Sequence, residues 1–275
     1  MTAEKTDAKN SKNAKGVVVV TGASEGIGYE IARAFVQVGY RVYGLSRRAS
    51  GPDGVIKMTA DVSDDASLGA AFKKIGEESG KVDILINNAG FGISGAAEFA
   101  DENALAQMDV NFMGALRCIS LALPLMRPGG GRIVNISSLA AVFPIPFQAI
   151  YSASKAAVNA LSLALANELK GFGIQVCAIM PGDVNTGFSK ARRKISQGGE
   201  IYGGIIESAV AVMENDEAQG MAPELIGRRV FEITTKRRLK PLYTIGAKYK
   251  LFLFLQRILP ARAVVYILGM MYIKG

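Results

Sequence analysis

The 275-residue chain contains no histidine and only two cysteines. Without histidine it has no Ser-His-Asp hydrolytic set, no imidazole general base and none of the common zinc sites, so proton transfer must rest on other side chains. Cys118 and Cys177 are far apart in apolar surroundings. They offer neither a disulfide framework nor metal-ligand spacing, and they read as buried thiols of a protein in a reducing, cytoplasmic compartment. No metal site is expected. Residues 1–15 are polar and lack the apolar stretch of a secretory signal, so they read as a flexible leader.

Acidic residues are missing from one region as well. After Glu232 there is no Asp or Glu, while residues 233–275 hold nine Lys or Arg. The remaining chain has 23 basic against 24 acidic residues, so the net charge of +8 belongs to the C-terminal segment. A nucleic-acid partner is not expected.

With 49% hydrophobic residues the chain can bury one substantial core. Short apolar runs alternate with longer amphipathic stretches, the pattern of repeated βαβ units around a parallel sheet. Strands are expected at 16–21, 41–45, 55–58, 83–87, 131–137, 174–180 and 242–245. Helices are expected at 27–38, 64–79, 101–126, 151–170 and 223–235. This gives a single doubly wound, Rossmann-like α/β domain over 16–245 with a seven-stranded parallel sheet, followed by a helical extension over 246–275. The polar, Gly-containing segment 186–220 lies just past a strand end, where such sheets bind ligands, and is a candidate substrate lid.

Val17-Val18-Val19-Val20 runs into Thr21-Gly22-Ala23-Ser24-Glu25-Gly26-Ile27-Gly28, and a helical pattern follows at once. Gly22 permits the tight turn, Gly26 lets backbone approach a pyrophosphate and Gly28 allows close helix packing, with Ser24 and Ile27 in the same cradle. The second strand ends in Ser46-Arg47-Arg48. An acid near this point would suit a ribose 2′-hydroxyl, whereas Arg47 and Arg48 offer charge to a 2′-phosphate, so NADP(H) is favoured over NAD(H). Asp61-Val62 falls on the same cofactor edge, where a carboxylate can accept from the adenine amino group. Asn88-Ala89-Gly90 closes the fourth strand, either lining the crevice or stabilising the sheet.

Tyr151 and Lys155 are four residues apart on one helix face. A free tyrosine titrates near 10. A neighbouring ammonium, aided by a nicotinamide cation, stabilises the tyrosinate and brings it toward the working range. Lys155 can also hydrogen-bond the nicotinamide ribose. Ser138 follows a strand 13 residues before Tyr151 and can hold a substrate oxygen; it is preferred to Ser137. Asn111, on the preceding helix, could anchor a water chain to Lys155.

Together these segments resemble the short-chain dehydrogenase/reductase family: T-G-x-x-x-G-x-G at 21–28, N-N-A-G at 87–90, the helix Asn111, then Ser138, Tyr151 and Lys155, and P-G at Pro181-Gly182. The resemblance implies that Val184 meets the nicotinamide carboxamide and Thr186 the carboxamide or phosphates. It also implies a homodimer or homotetramer. The expected activity is NADP(H)-dependent hydride transfer to or from a carbonyl or secondary alcohol of a small apolar substrate, such as a steroid, a retinoid or a long-chain keto compound. A non-catalytic NADPH sensor with a partner- or membrane-binding tail is the competing reading, and an intact Ser138, Tyr151 and Lys155 argues against it.

In the tail, the runs 248–255 and 263–273, rich in apolar residues, flank Gln256, Arg257, Pro260 and Arg262. Neither run reaches the roughly 20 residues that span a bilayer. Three readings remain: packing on the domain's own pocket, burial in a subunit interface, and peripheral attachment to an anionic membrane surface.

Overall fold

The computed structural model describes residues 14–188, 192–195 and 197–273. Apart from Ala14 and Lys15, the expected leader lies outside them. Seven strands, β1 (Val17–Thr21), β2 (Arg41–Ser46), β3 (Ile56–Thr59), β4 (Ile84–Asn87), β5 (Gly131–Ile136), β6 (Ile174–Pro181) and β7 (Leu242–Ile245), form one sheet. The order is β3-β2-β1-β4-β5-β6-β7 and every pairing is parallel. Each strand ends within one residue of its expected bounds.

Side chains alternate between two cores along these strands, as the two-residue period of a strand requires. In β1, Val17 and Val19 join one core while Val18 and Val20 join the other. The first core is covered by α2 (Asp65–Ser79), α4 (Gly114–Met126) and α5 (Ala149–Glu168), through residues such as Phe72, Ile119 and Leu165. The second is covered by α1 (Gly26–Gln37) and α7 (Pro223–Thr234), through Ile31, Phe35, Ile226 and Val230. Buried on both faces, the valine-rich strands form the middle of three layers.

Local signals set the helix ends. Asp64 caps α2 by accepting from the Ala66 and Ser67 amides, and Gly80 closes it in the left-handed region. Pro223 opens α7, where its missing N–H costs nothing. One expected helix is interrupted: 101–126 is α3 (Glu102–Met108), a π-turn (Asp109–Met113) and α4. The π-turn adds a residue to one turn and turns Asn111 inward, leaving it 2% exposed. The helix expected from residue 151 begins at Ala149, which places Tyr151 in the first turn of α5.

Segment 186–220, expected as a lid, carries α6 (Ile205–Ala218), whose Ile206, Ala209, Val210 and Met213 are buried. Arg193–Lys194 pairs with Ile93–Ser94 in a two-residue ladder. The tail consists of α8 (Ala247–Ile258) and α9 (Ala261–Tyr272). Two helical stretches, Ala104–Met126 and Ala149–Glu168, are long and apolar enough to cross a membrane. Both pack against the sheet through their buried faces.

Helices α1 and α7 touch at backbone distance. Phe35 and Phe231 meet edge to face, and a Cβ on Gly227 would lie 2.6 Å from the Glu30 carbonyl carbon. Only glycine fits there without moving a helix. Gly227→Ala is therefore expected to cost about 1–3 kcal/mol by overpacking, read as a lower denaturant midpoint at unchanged slope. An unchanged midpoint would show that α1 and α7 separate freely.

Candidate active site

Strand order reverses between β1 and β4, which opens a crevice beyond their carboxyl ends. The turn from β1 into α1 lines it. Gly22 and Gly26 have φ of +67° and +59°, values that favour glycine, and no side chain caps the first turn of α1. Its backbone N–H groups are left to meet an anion. Gly28 is a packing residue, because a Cβ there would lie 2.2 Å from the Gly22 carbonyl oxygen. Thr186 leans over the loop, 3.6 Å from where a Gly26 Cβ would be.

Asn88 ties β4 to this turn. Its Nδ2 donates to the Thr21 and Gly22 carbonyls at 3.1 and 3.2 Å, while Thr21 Oγ1 accepts from the Asn88 and Ala89 amides, both at 3.0 Å. The Asn88 side chain thus braces the turn, and Asn88, Ala89 and Gly90 all line the crevice.

At the far end, Arg47 and Arg48 follow β2 with Asp61 opposite. Arg48 forms an exposed ion pair with Glu25 at 3.5 Å. Burial works against ionising Asp61, yet hydrogen bonds from the Ser63 hydroxyl (2.6 Å) and amide (2.9 Å), together with Arg47, hold it below the usual carboxylate range. Two arginines and one ionised acid thus border this end of the crevice. The donors and acceptors here fit the base and ribose end of an adenine dinucleotide.

β5 and α5 bring the proton-transfer residues together. The Ser138 hydroxyl lies close enough to Tyr151 to ease its ionisation, and it accepts from the Ala140 amide at 3.1 Å. Ser137 instead donates to the Lys155 carbonyl at 3.1 Å. Lys155 Nζ donates to the Ile136 carbonyl at 2.9 Å and lies 5.8 Å from the Tyr151 ring centre. Burial pushes Lys155 down to about 8. Burial also pushes Tyr151 up to about 12, with Ser138 and Arg192 working against the rise and Glu217 adding to it.

The Asn111 side chain braces this floor. Its Oδ1 accepts from the Phe91 amide at 3.0 Å, and its Nδ2 donates to the Phe91 carbonyl and Ser154 Oγ, both at 3.1 Å. Gly90 separates Asn111 from Lys155: a Cβ on it would lie 2.9 Å from Asn111 Oδ1 and 3.6 Å from Lys155 Nζ.

One cavity of about 830 Å³ runs from Gly22, Ser24, Gly26 and Ile27 past Arg47, Arg48, Asp61 and Val62 to Ser138, Tyr151 and Lys155. Pro181, Gly182, Val184 and Thr186 border it too. Gly28 and Asn111 support it from behind. Its far wall comes from Phe143 and Phe188, the acids Asp183, Asp216 and Glu217, and one face of α8 and α9; of these the sequence did not single out Phe188, Asp216 or Glu217. Next to Tyr151, the buried Arg192 pairs with Glu217 and donates through Nε to the Gln148 side-chain carbonyl at 3.0 Å. Tyr249 of α8 is the tail's anchor. Its ring lies where a Gly182 Cβ would be, 2.0 Å away, and its hydroxyl donates to Asp183 Oδ2 at 2.6 Å while accepting from the Asp183 amide at 3.0 Å.

Comparison with known proteins agrees with this geometry. Residues 16–196 match the model of the short chain dehydrogenase family. A 3-ketodihydrosphingosine reductase from Bacteroides thetaiotaomicron is 39% identical, over 80% of this chain and 84% of that protein. A probable short-chain type dehydrogenase/reductase, VdlC, from Helicobacter pylori is 34% identical over 89% of this chain and 93% of its own length. Among solved structures, a short-chain dehydrogenase from Streptomyces avermitilis superposes with a TM-score of 0.78 at 29% identity, covering 92% of this chain and 94% of that one. The ligand-free aldohexose dehydrogenase of Thermoplasma acidophilum gives 0.73 at 25%, covering 88% and 96%. A phosphate-binding turn, a Ser-Tyr-Lys floor and a shared crevice, matched over most of the chain, mean that this oxidoreductase belongs to the short-chain dehydrogenase/reductase family.

Proposed function

We propose that the protein is an NADP(H)-dependent reductase of a ketone carried on a long apolar chain. The observation that carries this reading is the continuity of the cavity, from Arg47 and Arg48 through Tyr151 to the apolar faces of α8 and α9. The similarity to a reductase of 3-ketodihydrosphingosine favours a long-chain keto substrate among the apolar candidates.

In this reading the first turn of α1 binds the diphosphate through its backbone N–H groups, and Arg47 and Arg48 hold the 2′-phosphate. Asp61, held ionised, accepts from the adenine amino group. Bound NADPH supplies the hydride for the carbonyl carbon. Ser138 Oγ and Tyr151 Oη hold the carbonyl oxygen, and Tyr151 delivers the proton that completes the alcohol. Lys155, charged below about pH 8, hydrogen-bonds the nicotinamide ribose and favours the tyrosinate that proton loss leaves behind. Reduction therefore starts from a protonated Tyr151 and a charged Lys155.

Cofactor preference has a direct measurement. Replacing Arg47 and Arg48 with Ala should weaken NADPH binding by about 1–2 kcal/mol per arginine, at the low end for charge-assisted contacts because both are exposed. NADH binding should stay within about twofold. Equal losses for both cofactors would remove these arginines from 2′-phosphate recognition.

The proton path gives a second expectation. Tyr151→Phe should lower kcat for ketone reduction by at least about a hundredfold while leaving NADPH affinity unchanged. In the unsubstituted enzyme, kcat/KM should be level below about pH 7 and fall as pH rises past about 8, because Lys155 loses its charge there. Tyr151, pushed up to about 12, keeps its proton over that range. A profile level to pH 10 would show that the ammonium takes no part.

A further inference from the structure

The two tail helices have two different apolar faces. Along α8, Phe252, Leu255 and Leu259 line the cavity. Displaced by one residue, with the same spacing of three and four, Leu251, Phe254 and Ile258 lie outside it and are 56, 60 and 65% exposed. In α9, Val264, Ile267, Leu268 and Met271 line the cavity, whereas Val265, Tyr266 and Met270 lie outside it and are 69, 68 and 54% exposed. The inner face has an occupant in the proposed substrate. The outer face has none among the described residues, where Tyr249 and Tyr272 are the tail's only buried side chains.

Four residues belong to both faces. Phe252, Leu255, Ile267 and Met271 line the cavity and are still 37–44% exposed, so they form the rim of an opening between α8 and α9. Lys250, Arg257 and Arg262 are exposed on the same two helices, with no acid on either.

We propose that the outer face of α8 and α9 rests in the interface of an anionic lipid bilayer, so that a lipid-soluble ketone enters the cavity between these helices without crossing water. A contiguous exposed apolar surface of this kind on a folded domain calls for a partner. Charge decides which. A two-fold contact between tails of two copies would bring cation against cation, whereas anionic headgroups complement Lys250, Arg257 and Arg262 while Phe254, Ile258 and Tyr266 reach the acyl boundary. Each helix has 12 residues, too short to span but long enough to lie flat. The entry route rests on the proposed function; the docking does not.

The full chain should float with vesicles of 30% phosphatidylserine in phosphatidylcholine at low salt, and only weakly with phosphatidylcholine alone or at high salt. Two variants separate the contributions: Lys250→Glu, Arg257→Glu and Arg262→Glu together, and Phe254→Ser, Ile258→Ser and Tyr266→Ser together. Each should lower partitioning by more than about a hundredfold. Each should keep turnover of a short water-soluble ketone, which shows that the fold is intact, and lose turnover of a long-chain ketone presented in vesicles. Flotation is scored without reference to turnover, so loss of the proposed activity and loss of docking are told apart. Failure of the full chain to float would overturn the proposal, as would unchanged flotation of both variants. So would light scattering in which the full chain is an oligomer that the serine variant splits into monomers without any vesicle binding, since a second copy would then cover the face.

Discussion

The crossing of the β1–α1 turn with the end of β4 is the contact on which the site depends. Thr21 Oγ1 accepts two backbone amides from the β4 side, and Asn88 returns two hydrogen bonds to backbone carbonyls on the β1 side. Thr21 is 1% exposed, so an unmade bond here would leave a polar group stranded in the core. Gly28 must approach this knot closely enough to exclude any Cβ. The knot fixes where α1 begins, and the start of α1 fixes the turn of backbone N–H groups relative to β5 and its serine. A chain lacking it could keep the sheet and still misplace the phosphate turn from the proton donor.

A protein without histidine needs another route to a group that titrates usefully, and burial is the means used here. The same low-polarity floor that lifts Tyr151 lowers Lys155, because each loses water in the form that carries charge. Their shifts run in opposite directions for one cause. Glu217 and Arg192, paired beside the tyrosine, act on it in opposite directions, Glu217 raising and Arg192 lowering it, so the field at the hydroxyl depends on a salt bridge between α6 and the segment that leads into it.

Much of this was legible in the sequence where a short pattern determines a local structure. Val17 to Val20 alternate between two cores and feed a glycine turn, so strand, turn and helix could be placed together. What escaped was long-range. The π-turn at Asp109–Met113 adds a residue without disturbing the apolar periodicity on either side, so 101–126 read as one helix. Helix α6 follows two left-handed glycines, Gly203 and Gly204, and its buried stripe is short, so 186–220 read as a polar segment outside the strand and helix rhythm. Arg192 and Glu217 are 25 residues apart, and nothing in the neighbours of Arg192 marks it as buried. Tyr249 looked like one more apolar residue of the tail, because its partner Asp183 lies 66 residues earlier.

That last pair bears on how the protein is made. The phosphate turn, the serine and the Tyr-Lys pair all lie within residues 21–155, but α8 and α9 come after every strand of the sheet. Tyr249 can reach Asp183 only after β7 has paired with β6. During vectorial synthesis, therefore, the pieces of the cofactor floor emerge first, while the apolar wall opposite is still being translated. The tail settles after the sheet, and until Tyr249 seats against Gly182 the two helices hold both of their greasy faces in water. In that interval a nascent chain has most need of a chaperone or another surface to keep it from aggregating.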